Sequence, residues 1–464
     1  MTKSNRYFIL LLFILFFSRC TTDAPTEPTA NTPTDLTTLP ASGDIMMQTF
    51  YWDVEPRGGW WKVIEPKLAQ WAAIGVNRIW LPPVSKGMSG GFSMGYDPMD
   101  YFDFGEYDQM GTIPTRFGTR KELEQLISTA HQNKIEVVAD IVLNHNSGGS
   151  LQFNPYRNKN TYTLFQPKSG KFPRSYEDFH PNSLRQKDEG DLFFPEQDVS
   201  HVQPNVRFWL WESDESVAKY YKNVMKFDGW RFDYVLGFSP DVIKKWMEAV
   251  GGYAVAELWD GNPDVLERYV NQTGVRVFEF STFYALEQAL DGDNMNILKD
   301  RNTFLKRNPA KSVTFTANHD TEKDTNQGNR INVANKLLAY AYILTHDGEP
   351  CIFYSDYESV LPKRELERLM LINRTLAKGT TGVLFADREK YIALRGGNAS
   401  VPGLVVFLNN GTVPMTQTVI TPWKNATLVD YSNHTNKEIK TDQNGRATLE
   451  AAAKNFTIWS LKKI

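Results

Sequence analysis

The stretch Thr119-Arg-Lys-Glu-Leu-Glu-Gln-Leu-Ile-Ser-Thr-Ala-His-Gln-Asn133-Lys-Ile135-Glu-Val-Val-Ala-Asp140-Ile-Val-Leu143-Asn144-His145 decides the fold. In its first half Leu123, Leu126, Ile127 and Ala130 recur at i, i+3, i+4 and i+7, which predicts a helix with one apolar stripe. Thr119 and Glu122 make a capping box at its start. The second half, Ile135 to Leu143, is a short apolar run of strand character that ends in polar residues. The same alternation recurs along the chain. Its runs are Ile45 to Phe50, Val76 to Leu81, Ile135 to Leu143, Gly229 to Tyr234, Tyr253 to Leu258, Val275 to Phe280, Ser312 to Ala317 and Cys351 to Tyr354. Strands alternating with helices form a parallel sheet, and eight of them predict a closed (β/α)8 barrel.

Working outward, residues 146–205 are irregular and rich in Asn, Pro, Lys and Asp. A structureless loop of that length does not belong inside a compact domain, so they are expected to form a subdomain inserted after the third strand. The barrel then spans 43–145 and 206–378. Past Lys378, short strands and turns such as Leu404-Val-Val-Phe-Leu408, Asn409-Asn-Gly411 and Asn444-Gly445 predict an antiparallel β-sandwich over 379–464.

At the other end, Lys3 and Arg6 precede an apolar run from Tyr7 to Phe17, too short to span a bilayer, which reads as an export signal. It closes on Phe17-Ser18-Arg19-Cys20, similar to the lipobox of bacterial lipoproteins, although Arg19 stands where a small residue is usual. Residues 1–20 are thus expected to direct export, with a lipidated Cys20 anchoring the protein at the cell envelope. Ordinary signal cleavage would instead give a secreted or periplasmic protein. Residues 21–42, dominated by Thr and Pro, are expected to be an unpacked tether. Cys351 is then the one cysteine left in the folded part, a core residue with no disulfide partner.

With 41% hydrophobic and 13% aromatic residues the 464-residue chain can bury a large core. A formal charge of -3 gives no support to a nucleic-acid or anionic-membrane partner, and a neutral ligand fits better. In a barrel of this kind the working groups sit at the C-terminal strand ends. Four ends carry them: Asp140-Ile-Val-Leu-Asn144-His145, Gly229-Trp-Arg231-Phe-Asp233-Tyr234, Ala256-Glu257-Leu258-Trp259 and Ala317-Asn318-His319-Asp320. Strand alternation points Arg231 and Asp233 the same way, and the cation favours an ionised, nucleophilic aspartate. Glu257, flanked by Ala254, Val255, Ala256 and Leu258, is set to hold a proton. A purely structural ion pair is the alternative, but two acids and two histidines gathered for stability alone would cost desolvation that apolar residues avoid. No HxH or HExxH spacing suggests a catalytic metal.

These four segments resemble the motif set of the α-amylase family of glycoside hydrolases. Ser85-Lys-Gly-Met-Ser-Gly-Gly-Phe-Ser-Met-Gly-Tyr-Asp-Pro98 is similar to its archaeal and plant-like branch. The resemblance implies Asp233 as nucleophile, Glu257 as general acid/base and Asp320 as transition-state stabiliser. Arg231, His145 and His319 would hold the sugar, Tyr96 would stack on it and Asp97 would support the subsite. Leu236 departs from the lysine of many relatives on the leaving side; Trp259 either substitutes there or packs. The resemblance also implies a structural Ca²⁺ held by Asn144, Asp188, Asp198 and the carbonyls of Gly190 and Gly237, where the acidic run around Asp188 would otherwise be a solvated loop. Of a neighbouring zinc site found in some relatives only His180 matches, with Arg185 and Ser200 in the other positions, so zinc is not expected. The implied activity is that of a monomeric, endo-acting, retaining α-amylase on internal α-1,4-glucosidic bonds of starch. A glucan transferase of the same family is the alternative, and a non-catalytic starch-binding lipoprotein would show a broken carboxylate set.

Overall fold

The structure, a computed structural model, describes Leu36 and residues 43–184, 197–323 and 329–462. Eight parallel strands close into a barrel: β1 Met46–Gln48, β2 Arg78–Trp80, β3 Glu136–Ile141, β4 Gly229–Phe232, β5 Tyr253–Ala256, β6 Arg276–Phe278, β7 Ser312–Phe315 and β8 Glu349–Phe353. They pair in sequence order, and β8 returns to β1. Each expected run carries one strand. For β1 to β7 the paired segments are shorter than the runs because the apolar residues continue past the ladder into the rim, whereas β8 begins two residues before its expected run, at Glu349. The helix before β3 is Arg120–Gln132, and the Thr119 and Glu122 capping box forms as expected, with Leu123, Leu126, Ile127 and Ala130 buried.

Register sets the site. Asp140 lies beside Arg231, and Arg231 beside Val255. Neighbours in register point to the same side of a sheet, as do residues two apart on one strand. Asp140, Arg231 and Asp233 therefore share the barrel interior with Val255 and Glu257. The ladder runs one residue past the strands, through Asp233 N–H to the Ile141 carbonyl (3.0 Å) and Glu257 N–H to the Phe232 carbonyl (2.9 Å), which fixes the height of both acids.

After β3 the chain forms an antiparallel hairpin of Ser150–Asn154 and Lys159–Leu164. Isolated bridges, His145 with Asp198 and Phe179 with Val199, stitch the returning chain to the rim. A second rim segment is tied down by Lys86, whose fully buried ammonium lies 3.2 Å from Asp103 and donates to the carbonyls of Thr112 and Ile113 at 2.8 Å each. A buried cation is tolerated here because its protons all find acceptors.

The C-terminal strands are β9 Thr381–Ala386, β10 Lys390–Arg395, β11 Leu404–Asn409, β12 Met415–Ile420, β13 Thr427–Asp430, β14 Glu438–Lys440, β15 Arg446–Ala451 and β16 Asn455–Leu461. Six form a sheet in the order β9-β10-β11-β16-β13-β14, and β12 pairs with β15 in a ribbon across it. Val405 and Phe407 on β11, with Ile392 and Trp459, pack against Val419, Ala447 and Leu449 of the ribbon. Leu404, Val406 and Leu408 face the opposite way and join the main core. Burial on both faces explains why β11 reads as an unbroken apolar run. Barrel and sheets form one compact unit.

One expectation is corrected. Leu36, read as part of an unpacked tether, is buried in the main core, because a single leucine gains about 1.5–3 kcal/mol on leaving water and can dock even from a Thr/Pro-rich stretch. The remainder of 21–42, and the export segment with Cys20, lie outside the described residues. Cys351 is buried and free, and burial pushes its thiol pKa upward.

Candidate active site

Arg231 is the hub of the strand ends. Its guanidinium is fully buried, with Nη1 at 2.9 and 3.1 Å from the two Asp140 oxygens and 2.7 Å from Asp233 Oδ1, while Nη2 lies 2.6 Å from Glu257 Oε1. Asp140 also accepts from Trp80 Nε1 (3.0 Å) and the Tyr96 hydroxyl (2.8 Å). Glu257 Oε2 takes the backbone N–H of Tyr234 at 3.0 Å. Tyr234 adopts a left-handed conformation (φ 45°, ψ 53°), costly for a tyrosine, and that turn aims its N–H at the glutamate.

Three buried carboxyls around one cation cannot all ionise without excess negative charge in a dry site. The proton goes to Glu257. Burial, reinforced by the charges of Asp233 and Asp320, outweighs the pull of Arg231 and lifts its pKa to about 8. Burial also pushes Asp140 upward. Its oxygens are nevertheless engaged by four donor contacts, so it remains the anion that balances Arg231.

His319 stacks on Tyr96 with ring centroids 5.2 Å apart and its Nδ1 lies 3.0 Å from Gln48 Nε2. Burial and then the charge of Arg231 hold its pKa well below the usual histidine range, so it is neutral. His145 is also depressed by burial, and its Nε2–H donates to the Tyr96 carbonyl at 2.8 Å. Asp320 accepts from Trp52 Nε1 at 3.2 Å and lies 3.4 Å from His319 Nε2. Gly95 lets Tyr96 enter the site: its φ is +90°, and a Cβ there would sit 2.4 Å from the Pro83 carbonyl oxygen.

The expected residues thus separate by position. Asp233, Glu257, Asp320, Arg231, Tyr96, His145 and His319 belong to one connected cluster. Asp97 is spent on the rim loop, where its carboxylate accepts from the Ser89 and Ser93 hydroxyls. Trp259 is half-buried, stacked on Phe280 (4.9 Å) and hydrogen-bonded to the Tyr284 hydroxyl (2.9 Å), which is the packing alternative. Leu236 is exposed on the rim. The sequence placed Asp140 at a strand end without giving it a role, and Gln48 and Trp52 went unnoticed. The signal was available for the first two, since Gln48 is a polar residue in a fully buried strand and Asp140 lies in the buried stretch of β3 that follows the exposed Glu136.

Of the residues implied in calcium binding, Asn144, Asp198 and Gly237 come together. Gly237 packs so closely on Asn144 that a Cβ would lie 2.0 Å from its amide oxygen, and Val199 N–H, next to Asp198, donates to the Asn144 carbonyl at 2.9 Å. Amide, carboxylate and backbone oxygens suit a hard cation, so the residues present fit. Asp188, Gly190 and Arg185 lie outside the described residues. No group of three or more His, Cys, Asp or Glu suited to a metal occurs among the described residues.

Residues 30–363 match the family model described as alpha amylase, catalytic domain. The chain is 28% identical to the cytoplasmic alpha-amylase of Escherichia coli, over 90% of this chain and 99% of that protein. It is 27% identical to the alpha-amylase of Bacillus licheniformis, over 79% and 83% respectively. In structure it resembles an alpha-amylase from Geobacillus thermoleovorans with a TM-score of 0.66 at 18% identity, covering 90% of this chain and 97% of that one. Barrel, strand-end carboxylates and family match agree: the chain belongs to the α-amylase family of glycoside hydrolases.

Proposed function

We propose that this protein is an endo-acting, retaining α-amylase that hydrolyses internal α-1,4-glucosidic bonds of starch and related glucans. The observation that carries the reading is the attachment of Asp233 and Glu257 to the two ends of one guanidinium, at 2.7 and 2.6 Å. That arrangement supports the separation of about 5–5.5 Å at which one carboxylate attacks while the other donates, rather than the wider gap that admits a water between them.

Asp233, ionised and held through Oδ1, attacks the anomeric carbon as the bond to the glycosidic oxygen breaks. That oxygen departs with the proton of Glu257. The resulting glycosyl ester is hydrolysed by a water that loses its proton to the Glu257 carboxylate, so both acids return to their starting states. Asp320, steadied by the Trp52 indole, faces the developing positive charge, and neutral His319 is a hydrogen-bond partner for sugar hydroxyls. The complete carboxylate set argues against a protein that only binds starch. A transferase would use the same groups with a sugar hydroxyl in place of water.

A Ca²⁺ ion held by Asn144, Asp198, the Gly237 carbonyl and the acidic segment around Asp188 would pin the insert to the rim. The reading also makes the protein an exported lipoprotein anchored through Cys20, since starch is too large to enter a cell.

Asp233→Asn, Glu257→Gln and Asp320→Asn are expected to cut turnover by about 10³-fold or more with folding retained, and azide should restore the Glu257→Gln variant on an activated glucosyl substrate. Wild-type kcat/KM should hold while Glu257 is protonated and fall about tenfold per unit as pH rises past its pKa. Near-normal starch hydrolysis by the Asp233→Asn variant would remove the assignment. Chelation with EDTA should lower the melting temperature and activity, with recovery on adding Ca²⁺ but not Zn²⁺; full stability in calcium-free protein contradicts the metal. Mass spectrometry of the exported protein should find a diacylglyceryl-modified Cys20 at its N-terminus, and an unmodified chain starting elsewhere would rule the anchor out.

A further inference from the structure

A half-buried hairpin ordinarily turns apolar side chains inward and polar ones to water. The hairpin of the insert does the reverse. Thr161 and Thr163 are fully buried, their hydroxyls 2.7 Å apart, and Thr163 accepts from Gln152 Nε2 at 3.0 Å; Asn154 is buried with them. The outward face carries Leu151, Phe153 and Tyr162, which are 52%, 56% and 53% exposed. Phe153 pairs with Asn160 on this outward side, and Leu151 and Tyr162 emerge exposed at the register shift between Ser150 and Gln152. Three large side chains left exposed on a short hairpin over buried threonines forgo the free energy of burial, and exposed apolar side chains grouped in this way mark a binding surface.

The chemistry of the face selects its occupant. The described residues of this face, Leu151, Phe153, Asn160 and Tyr162, offer two aromatic rings, an aliphatic side chain and an amide, and none of them is charged. Such a surface matches the C–H faces and hydroxyls of a neutral sugar polymer, and gives no attraction to a nucleic acid or an anionic lipid. Its position agrees. The hairpin leaves the rim at Gly148, which packs on the half-exposed Met88 and follows closely in the chain on Asn144 and His145 in the active-site wall. Gly149 packs on the Tyr162 carbonyl, which also takes Gln197 Nε2 at 3.4 Å, one residue before Asp198.

We infer that the outward face of this hairpin is a second α-glucan contact, outside the catalytic cluster, that grips a polymeric substrate; the inference rests on the α-glucan reading above. The test compares the full-length protein with Phe153→Ser/Tyr162→Ser in binding to starch granules and in kinetics on granular starch and on a chromogenic maltooligosaccharide. Granule affinity should fall about tenfold, equivalent to about 1.4 kcal/mol, with KM on granules rising in step. The kcat and KM on the short substrate, and the melting temperature, should not change. Phe153→Trp, which keeps a ring, should bind granules as well as the wild type, and the single Tyr162→Ser variant, which should lose part of the granule affinity, stands in for the double variant if that one is unstable. Unchanged granule affinity in the double variant overturns the inference. So does a loss confined to self-association by sedimentation, or to flotation with phosphatidylcholine vesicles, since the face would then serve a second copy or a membrane. A wild type that binds granules through this face but cleaves neither substrate sinks the hydrolase reading and leaves this one standing.

Discussion

One buried guanidinium organises this protein's chemistry. Taking Arg231 out of water costs several kcal/mol, which a close shell of carboxyl groups offsets. The shell is supplied by three neighbouring strands, β3, β4 and β5, through Asp140, Asp233 and Glu257. Asp140 alone suffices to balance the charge, and it is the acid most enclosed by donors. Asp233 and Glu257 are therefore not needed as a pair of counter-ions. That surplus negative charge, confined in a dry pocket, is what leaves Glu257 holding a proton. Removing one partner from such a cluster costs about 3–5 kcal/mol, so barrel integrity and acid–base poise depend on the same few atoms.

The surrounding structure keeps that cluster at one height and one orientation. β1 contributes Gln48 and the following Trp52, which reach the β7 end and hold His319 and Asp320, although β8 lies between the two strands. His145 secures the main chain of Tyr96, and Tyr96 in turn donates to Asp140. The insert returns to the rim beside Asn144 and His145, so a cation at Asn144 would stabilise the wall of the site without entering its chemistry. The C-terminal sheets cover apolar barrel surface through Leu404, Val406 and Leu408 and contribute no residue to the cluster.

The barrel was legible because each of its strands is a compact apolar run, and the acids because they fall at strand ends on the same side as Arg231. What escaped notice depends on contacts between distant segments. Gln48 was passed over because a lone polar residue in a strand announces no partner, and its partner is 271 residues away. Trp52 and Trp259 look alike in sequence, yet one hydrogen-bonds to Asp320 and the other lies against Phe280. Only packing distinguishes them. Leu36 was assigned to a tether on composition, which cannot register one well-placed apolar side chain. The inverted hairpin, by contrast, is written in the alternation of Leu151-Gln-Phe153 and Thr161-Tyr-Thr163, but which face turns outward is decided by the fold.

The account stands on Asp233 and Glu257 working as nucleophile and acid across one sugar, which fixes the stereochemistry of the product. Proton NMR of the reducing ends released from a maltooligosaccharide, recorded faster than mutarotation, reads that directly. The α anomer should appear first and then relax toward the β form. First appearance of the β anomer would mean a single displacement by water and would contradict the double-displacement role given to the carboxyls around Arg231.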